Sequence, residues 1–373
     1  MRKLFTKGKS LKITALLIIA IILIIYISSG HASFFGSLQN KNLLSQLISD
    51  AMPVFYDFNH INYAFIEKSL FGFNLSSPMS IIESNVFAFG SFEKTEEKEE
   101  IKEEEPQVDL SNAKPIKETT ISYKNPKGYY EAEGVLVKNA TTYDFNPAEL
   151  LNEPLKFDFS GEGPHILIVH SHSSESYTAT DKNYYLPTDP DRTEDINYNV
   201  VRVGTEIVNT LKAHGIDALH DTSLHDYPSY NGSYKSSLAS VESYLKKYPS
   251  IKIVLDIHRD AMVQSDGTKL KLVADVQNKK AAQIMLLTGS NQGGLDHPDW
   301  RENLKFAMKL QRTVNQMYPG LARPVSFTKE RYNTHTTYGS IIIEVGTTGN
   351  TLEEALVSAG MIGNAVAEFI KSN

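Results

Sequence analysis

Apolar and polar positions follow two different periods along the second half of the chain. Ile166-Leu167-Ile168-Val169, Ile251–Ile257 and Ile341-Ile342-Ile343 are short apolar runs of the kind found in strands covered on both faces. Leu270–Val276 and Ala282–Leu287 read as two more strands. Val200, Val201, Val203, Ile207, Val208 and Leu211 recur at helical spacing and stop at Gly215. Leu238, Val241, Leu245 and Tyr248 mark a second helix, ended by Pro249. Leu304, Ala307, Met308, Leu310, Val314 and Met317 mark a third, and Leu352–Ile370 a last one. Strands alternating with helices predict an α/β fold, a mostly parallel twisted sheet covered by helices on both faces. Upstream, Thr119–Tyr123 and Val135–Val137 are β-rich pieces around a turn at Asn125-Pro126-Lys127-Gly128.

The amino-terminal third has another texture. Residues 13–27 are uncharged and apolar on every face, and the run extends to about Gly30, long enough to cross a bilayer as a helix. Arg2, Lys3, Lys7, Lys9 and Lys12 precede it, which keeps that flank in the cytoplasm and places the rest outside. A cleaved signal peptide is the rival reading, with Gly30-His31-Ala32 as its cleavage site, but the apolar core is long for a signal. Residues 93–105 read EKTEEKEEIKEEE, eight Glu against three Lys, and have only Ile101 to bury. Such a segment is expected to be a solvated spacer. The expected organisation is therefore a cytoplasmic tail and transmembrane anchor (1–30), a membrane-proximal region (31–92) and an acidic linker (93–117). A small β-rich segment (118–159) then leads into a catalytic domain (160–373).

Composition narrows the chemistry. The 373 residues are 41% hydrophobic with a formal net charge of −7, which supports a sizeable core and argues against a general nucleic-acid binder. There is no cysteine, so disulfides, thiolate zinc sites and cysteine nucleophiles are excluded. Any metal must be held by His, Asp and Glu.

Three expected strand ends carry ionisable residues, where open α/β sheets gather function. The first runs into His170-Ser171-His172-Ser173-Ser174-Glu175, the second into Asp256-Ile257-His258-Arg259-Asp260, the third into Glu344-Val345-Gly346. His172 and Glu175 form an H-x-x-E pair. Alone, that spacing is common and reads as two surface residues. With His258 it makes two imidazoles and a carboxylate, a set that suits zinc and leaves a position for water. Glu344, after three isoleucines, is the expected general base; its ordinary reading is a dipole partner for the helix near Leu352. Glu194 and Asp195 are alternative carboxylate ligands, although helix capping is their commoner role. His170 is a supporting partner or a substitute for His172. His335 and Tyr338 fall at the other end of the sheet by strand direction, unless their loop folds back. No G-x-S-x-G elbow and no Gly-rich nucleotide loop is present.

At these residues the chain resembles the stage II sporulation protein P family of endospore-forming bacteria. The matching pieces are ILIVHSHSSE (166–175), VLDIHRD (254–260), GSNQGGLDHPDWRENL (289–304) and YGSIIIEVGTTGNTLEE (338–354), and the resemblance covers roughly residues 118–373. The family is related to the zinc N-acetylmuramoyl-L-alanine amidases. That relation implies a catalytic glutamate at Glu344, followed by Gly346, Asn350 and Glu353-Glu354, with zinc histidines at His258 and His172. In the wider group the carboxylate ligand comes before a helix, which favours Glu194 or Asp195; the H-x-x-E form offers Glu175, in the manner of zinc carboxypeptidases. The resemblance further implies degradation of peptidoglycan during engulfment, at the bond between muramic acid and L-alanine, with peptide cross-links as a further target. It implies stage II sporulation proteins D and M as partners in the same membrane. A zinc carboxypeptidase, with Arg259 or Arg331 holding a terminal carboxylate, and an inactive wall-binding scaffold are the competing expectations.

Overall fold

The computed structural model describes residues 109–122, 127–179 and 181–373; the apolar run at 13–27 and the acidic segment at 93–105 lie outside them. Among the described residues no helix is long and apolar enough to cross a membrane. In chain order the strands are β1 (Lys114–Thr119), β2 (Tyr130–Ala132), β3 (Val135–Asn139), β4 (Ile166–Val169), β5 (Tyr184–Tyr185), β6 (Ala218–His220), β7 (Ile253–Asp260), β8 (Lys269–Val276), β9 (Lys279–Ala282), β10 (Ile284–Thr288), β11 (Val325–Phe327) and β12 (Gly339–Thr347). The helices are α1 (Pro147–Asn152), α2 (Val200–Ala213), α3 (Ser233–Lys247), α4 (Trp300–Met317) and α5 (Leu352–Ser372).

Eight strands form one sheet in the order β2-β3-β11-β10-β12-β7-β4-β6, parallel except where β2 meets β3 and β10 meets β12. A second sheet, β5-β1-β8-β9, was not foreseen from the pattern. Two expected strands shift. The piece placed at Thr119–Tyr123 lies earlier, as β1, and pairs with β8. The run at Ala282–Leu287 is broken at Gln283, where the chain leaves the small sheet (β9 on β8) and enters the large one (β10 on β12). Gln283 is fully buried, and its amide satisfies the backbone of Ile121 and the carbonyl of Gly320 at that crossing. Residues 130–152 belong to the main sheet's edge: β3 pairs in parallel with β11, and Leu150 and Leu151 of α1 enter the same core as Phe306 and Leu310 of α4.

The two faces of the large sheet are covered unequally. Ile166, Ile168, Ile253, Leu255, Ile257, Ile341, Ile343 and Val345 point into the main core with α2, α4 and α5. On the other face Leu167, Val169 and Val254 pack against Val241 of α3. Strand alternation sends Asp256, His258, Ser340, Ile342 and Glu344 to that second face. Beyond α3 it is covered by residues 328–338, which fold back over the sheet: Asn333 Nδ2 donates to the Tyr234 carbonyl (2.8 Å) and to Ser237 Oγ (2.9 Å) of α3. Polar residues thus emerge on a face that helices leave partly free, and there the candidate site sits.

Candidate metal and catalytic site

The H-x-x-E segment is a turn fixed by a buried carboxylate. The Glu175 N–H donates to the His172 carbonyl (3.2 Å), and Asp226 accepts from Ser173 Oγ, the Ser174 N–H and Ser174 Oγ. Arg192 closes the turn, with Nη1 2.6 Å from Asp226 and Nη2 3.7 Å from Glu175 Oε1. The serines of this motif are therefore held by carboxylates; Ser171 likewise donates its N–H and Oγ to Asp256.

His258 lies on β7 directly beside Glu344 on β12. Its Nδ1 is 3.8 Å from Glu175 Oε2, whose other neighbour is the Arg259 N–H at 2.9 Å. Its Nε2 is 2.9 Å from Asp256 Oδ1, an ion pair off the line of the ring N–H. The His172 ring stands 5.2 Å from that of His258 at 83°. Tyr230 stacks on His172 at 4.5 Å, and the Arg192 guanidinium stands 4.7 Å from the Tyr230 ring centroid. Tyr234 lies edge-on to His172 and stacks towards His258. His172, Glu175, His258 and Glu344 thus meet on one face.

The electrostatics follow from burial and neighbours. Burial pushes the His172 imidazole down to about 4, and the His258 charge adds to it. Burial opposes charge on His258 too, but Asp256, then Glu175 and Glu344, outweigh it and raise its pKa to about 10. Burial raises the Glu344 carboxyl to about 8; His258 opposes this, while Glu175 and Asp260 add to it. Glu344 Oε2 is buried with no hydrogen-bond partner among the described residues.

The donor set fits zinc in type: two imidazoles and a carboxylate. Among the described residues no three His, Asp or Glu side chains stand as a ready metal cage. One pair, His258 Nδ1 and Glu175 Oε2 at 3.8 Å, is close to the separation of about 3.3 Å that two ligands of one tetrahedral zinc keep. Asp256 behind Nε2 is the carboxylate partner that metal-binding imidazoles commonly have.

The other candidates lie elsewhere. His170 points through the sheet towards α2 and binds the Ile257 carbonyl and His220 Nε2 (2.8 Å); a Cβ on Gly204 would come within 2.6 Å of its ring. Glu194 and Asp195 are exposed, and Asp195 caps its own loop through the N–H and Nδ2 of Asn197. Arg259 donates to the carbonyls of Asp260 and Asp191. His335 lies near His297, with ring centroids 6.2 Å apart. The start of α5 is capped by Thr351 and Glu354. Asn350 ties the end of β12 to Leu272 of β8. Gly346 takes φ +69° at the irregular register that follows Glu344, a conformation suited to glycine. Sequence reasoning gave no role to Asp256 and missed Arg192, Asp226, Tyr230 and Tyr234. Of these only Asp256 had a signal: Asp256-x-His258 on a strand puts both side chains on one face.

Among solved structures, the chain is similar to the N-acetylmuramyl-L-alanine amidase Ami1 from Mycobacterium smegmatis, at 12% identity. That match covers 58% of this chain and 100% of the other, with a TM-score of 0.34. It is also similar to the CwlD amidase from Clostridioides difficile in complex with the GerS lipoprotein, at 15% identity. That match covers 56% of this chain and 100% of the other, with a TM-score of 0.34. A stage II sporulation protein P from Bacillus subtilis (strain 168) is 28% identical over 222 residues, 56% of this chain. The chain spans about half the length of that relative, 52%. The family model described as stage II sporulation protein P matches residues 63–367, and over that span, which includes all four residues of the site, the chain belongs to the stage II sporulation protein P family.

Proposed function

We propose that this protein is a zinc-dependent amidohydrolase of peptidoglycan, cutting the bond between muramic acid and L-alanine during engulfment. The observation that carries this reading is Glu344: a half-buried glutamate whose Oε2 is buried without a partner among the described residues, register-paired with His258 and within electrostatic reach of Glu175. Leaving such a group unpaired is costly unless it is used. His172, His258 and Glu175 would hold the zinc, which when bound supplies Lewis acidity towards the scissile carbonyl and the attacking water. Asp256 orients His258 so that Nδ1 faces Glu175. Glu344 accepts a proton from the water and delivers it to the leaving nitrogen. Tyr230 and Tyr234 wall the site and exclude bulk water from His172. Residues 13–27 anchor the chain in the cell membrane with this domain outside, where stage II sporulation proteins D and M are its partners; the uncharged apolar run behind five basic residues supports the anchor, and the resemblance of the sequence to the family supports the partners. The test is digestion of purified peptidoglycan by the full chain in detergent, with mass spectrometry of the fragments and zinc content measured beside it. Stem peptides released with a free amino-terminal alanine are expected at one zinc per chain. Release of single carboxy-terminal residues would make it a carboxypeptidase. Intact peptidoglycan and no bound metal would make it a scaffold.

A further inference from the structure

Beside the site runs an open cleft of about 480 Å³, most of whose lining the catalytic chemistry does not use. Tyr234 is common to both: one side of the ring faces His172 and His258, and the residue also lines the cleft. Tyr332 lies next to it, ring centroids 5.4 Å apart, and holds φ +50°, a conformation that is unfavourable for a bulky side chain and persists where its surroundings require it. Burial raises the Tyr332 hydroxyl, and the charges of Glu330 and Glu344 add to this, which places it within electrostatic reach of the catalytic carboxylate. Leu295, 56% exposed, lines the cleft as well. Two cations line the cleft, Lys235 and Arg331, against one acid, Glu330. Among the described residues neither cation has an acidic side chain within ion-pair distance; there Arg331 donates to the Asp296 carbonyl, and its Nε is buried without a partner. By contrast Arg192, nearer the metal-binding residues, is already taken by Asp226.

We infer that this cleft receives the peptide arm of the substrate, a chain with small apolar side chains and at least one free carboxylate, which Arg331 and Lys235 bind. The walls match that chemistry. Tyrosine rings and Leu295 suit methyl groups and backbone, and two unneutralised cations suit carboxylates better than the neutral hydroxyls of a glycan. The inference rests on the hydrolase reading for the nature of the substrate, but its test does not need turnover.

The experiment uses the full chain in detergent carrying Glu344→Gln, so that ligands are not consumed. Calorimetric titration compares a disaccharide–peptide fragment bearing free carboxylates, the same fragment with its carboxylates amidated, and a peptide-free glycan. The acidic fragment is expected to bind about tenfold more tightly than the amidated one, the order of one or two charge-assisted hydrogen bonds. Arg331→Gln with Lys235→Gln should erase that preference at unchanged thermal stability, and Arg331→Lys should keep part of it. Equal affinity for the two fragments, or a preference that survives the double substitution, overturns the inference. So does a peptide-free glycan whose binding falls with the same substitutions. The unsubstituted chain's digestion of peptidoglycan reads the catalytic assignment separately. Binding without cleavage would retain the cleft and sink the hydrolase, whereas cleavage without carboxylate preference would do the reverse.

Discussion

Glu344 and His258 are register partners on adjacent parallel strands, β12 and β7, so their side chains leave the same face of the sheet at the same level. Their spacing is therefore set by the inter-strand distance of about 4.8 Å and not by a loop. The irregular register comes only after Glu344, between it and Thr347. On the proposed mechanism, a base that must stay aligned with a metal-holding imidazole gains from such a mount, because buried ladder strands are among the most rigid parts of a fold.

Replacing Glu344 with Gln keeps shape and removes basicity. On the proposed mechanism, zinc content and fold are retained, and hydrolysis slows by the ~10²–10⁴-fold typical of a lost general base. Release of muropeptide fragments over time is the measurement. Near-normal turnover would remove Glu344 from the reaction, and lost zinc would recast it as a ligand.

Glu175, not Glu194 or Asp195, is expected to be the carboxylate ligand, since it alone of the three lies beside His258. Glu175→Ala should release zinc in a chelator competition, as should His172→Ala and His258→Ala. Glu194→Ala and Asp195→Ala should retain it. Zinc retained in Glu175→Ala would reopen the choice.

Asp256→Asn tests the support behind His258. Losing the charge next to Nε2 is expected to weaken zinc binding by about 10–100-fold while the far-ultraviolet spectrum stays native. Unchanged affinity would mean that Asp256 serves only to pin Ser171.

The acid side of the stability profile should report Asp221. Burial raises this carboxyl, but hydrogen bonds from His225, Ser223 and Ser240 outweigh it and hold it below its ordinary value of 3.8. A depressed folded-state pKa contributes stability that is present above 3.8 and lost as the pH falls below it. Urea unfolding across acidic pH should show that loss, and Asp221→Asn should be weaker at neutral pH with a shallower acid slope. An identical slope in the variant would exclude Asp221 as a contributor.

Two glycines of α5 make a matched pair. A Cβ at Gly363 would meet Thr210 Cβ of α2 at 2.6 Å and the Ile207 carbonyl at 3.2 Å, whereas one at Gly360 would meet nothing within 4 Å. Gly363→Ala should therefore destabilise by about 1–3 kcal/mol through overpacking, and Gly360→Ala should stabilise by up to about 1 kcal/mol through helix propensity. Equal shifts in the urea midpoints would contradict the packing.

Much of the large sheet was legible because its evidence is local. Continuous apolar runs marked β4, β7 and β12, and helical stripes marked α2, α3, α4 and α5 within a few residues. The break at Gln283 was not legible, since one apolar run served two strands in two different sheets. For the loop before β12, strand direction points to the far end of the sheet unless the loop folds back. It folds back because Asn333 and Tyr332 find partners on α3.

By itself the sequence determined which residue types were available to the chemistry: no thiols, two clusters of His and carboxylate, and an apolar strand leading into Glu344. It also determined the period of each element, because side-chain periodicity is written into consecutive residues. Only the tertiary structure decided which carboxylate faces His258, that His170 points to the opposite side, and that Tyr230, Arg192 and Asp226 join the site. Those relations depend on strand register and on loops meeting across the sheet. Such contacts join residues from 34 to 87 positions apart, a separation over which sequence periodicity carries no information.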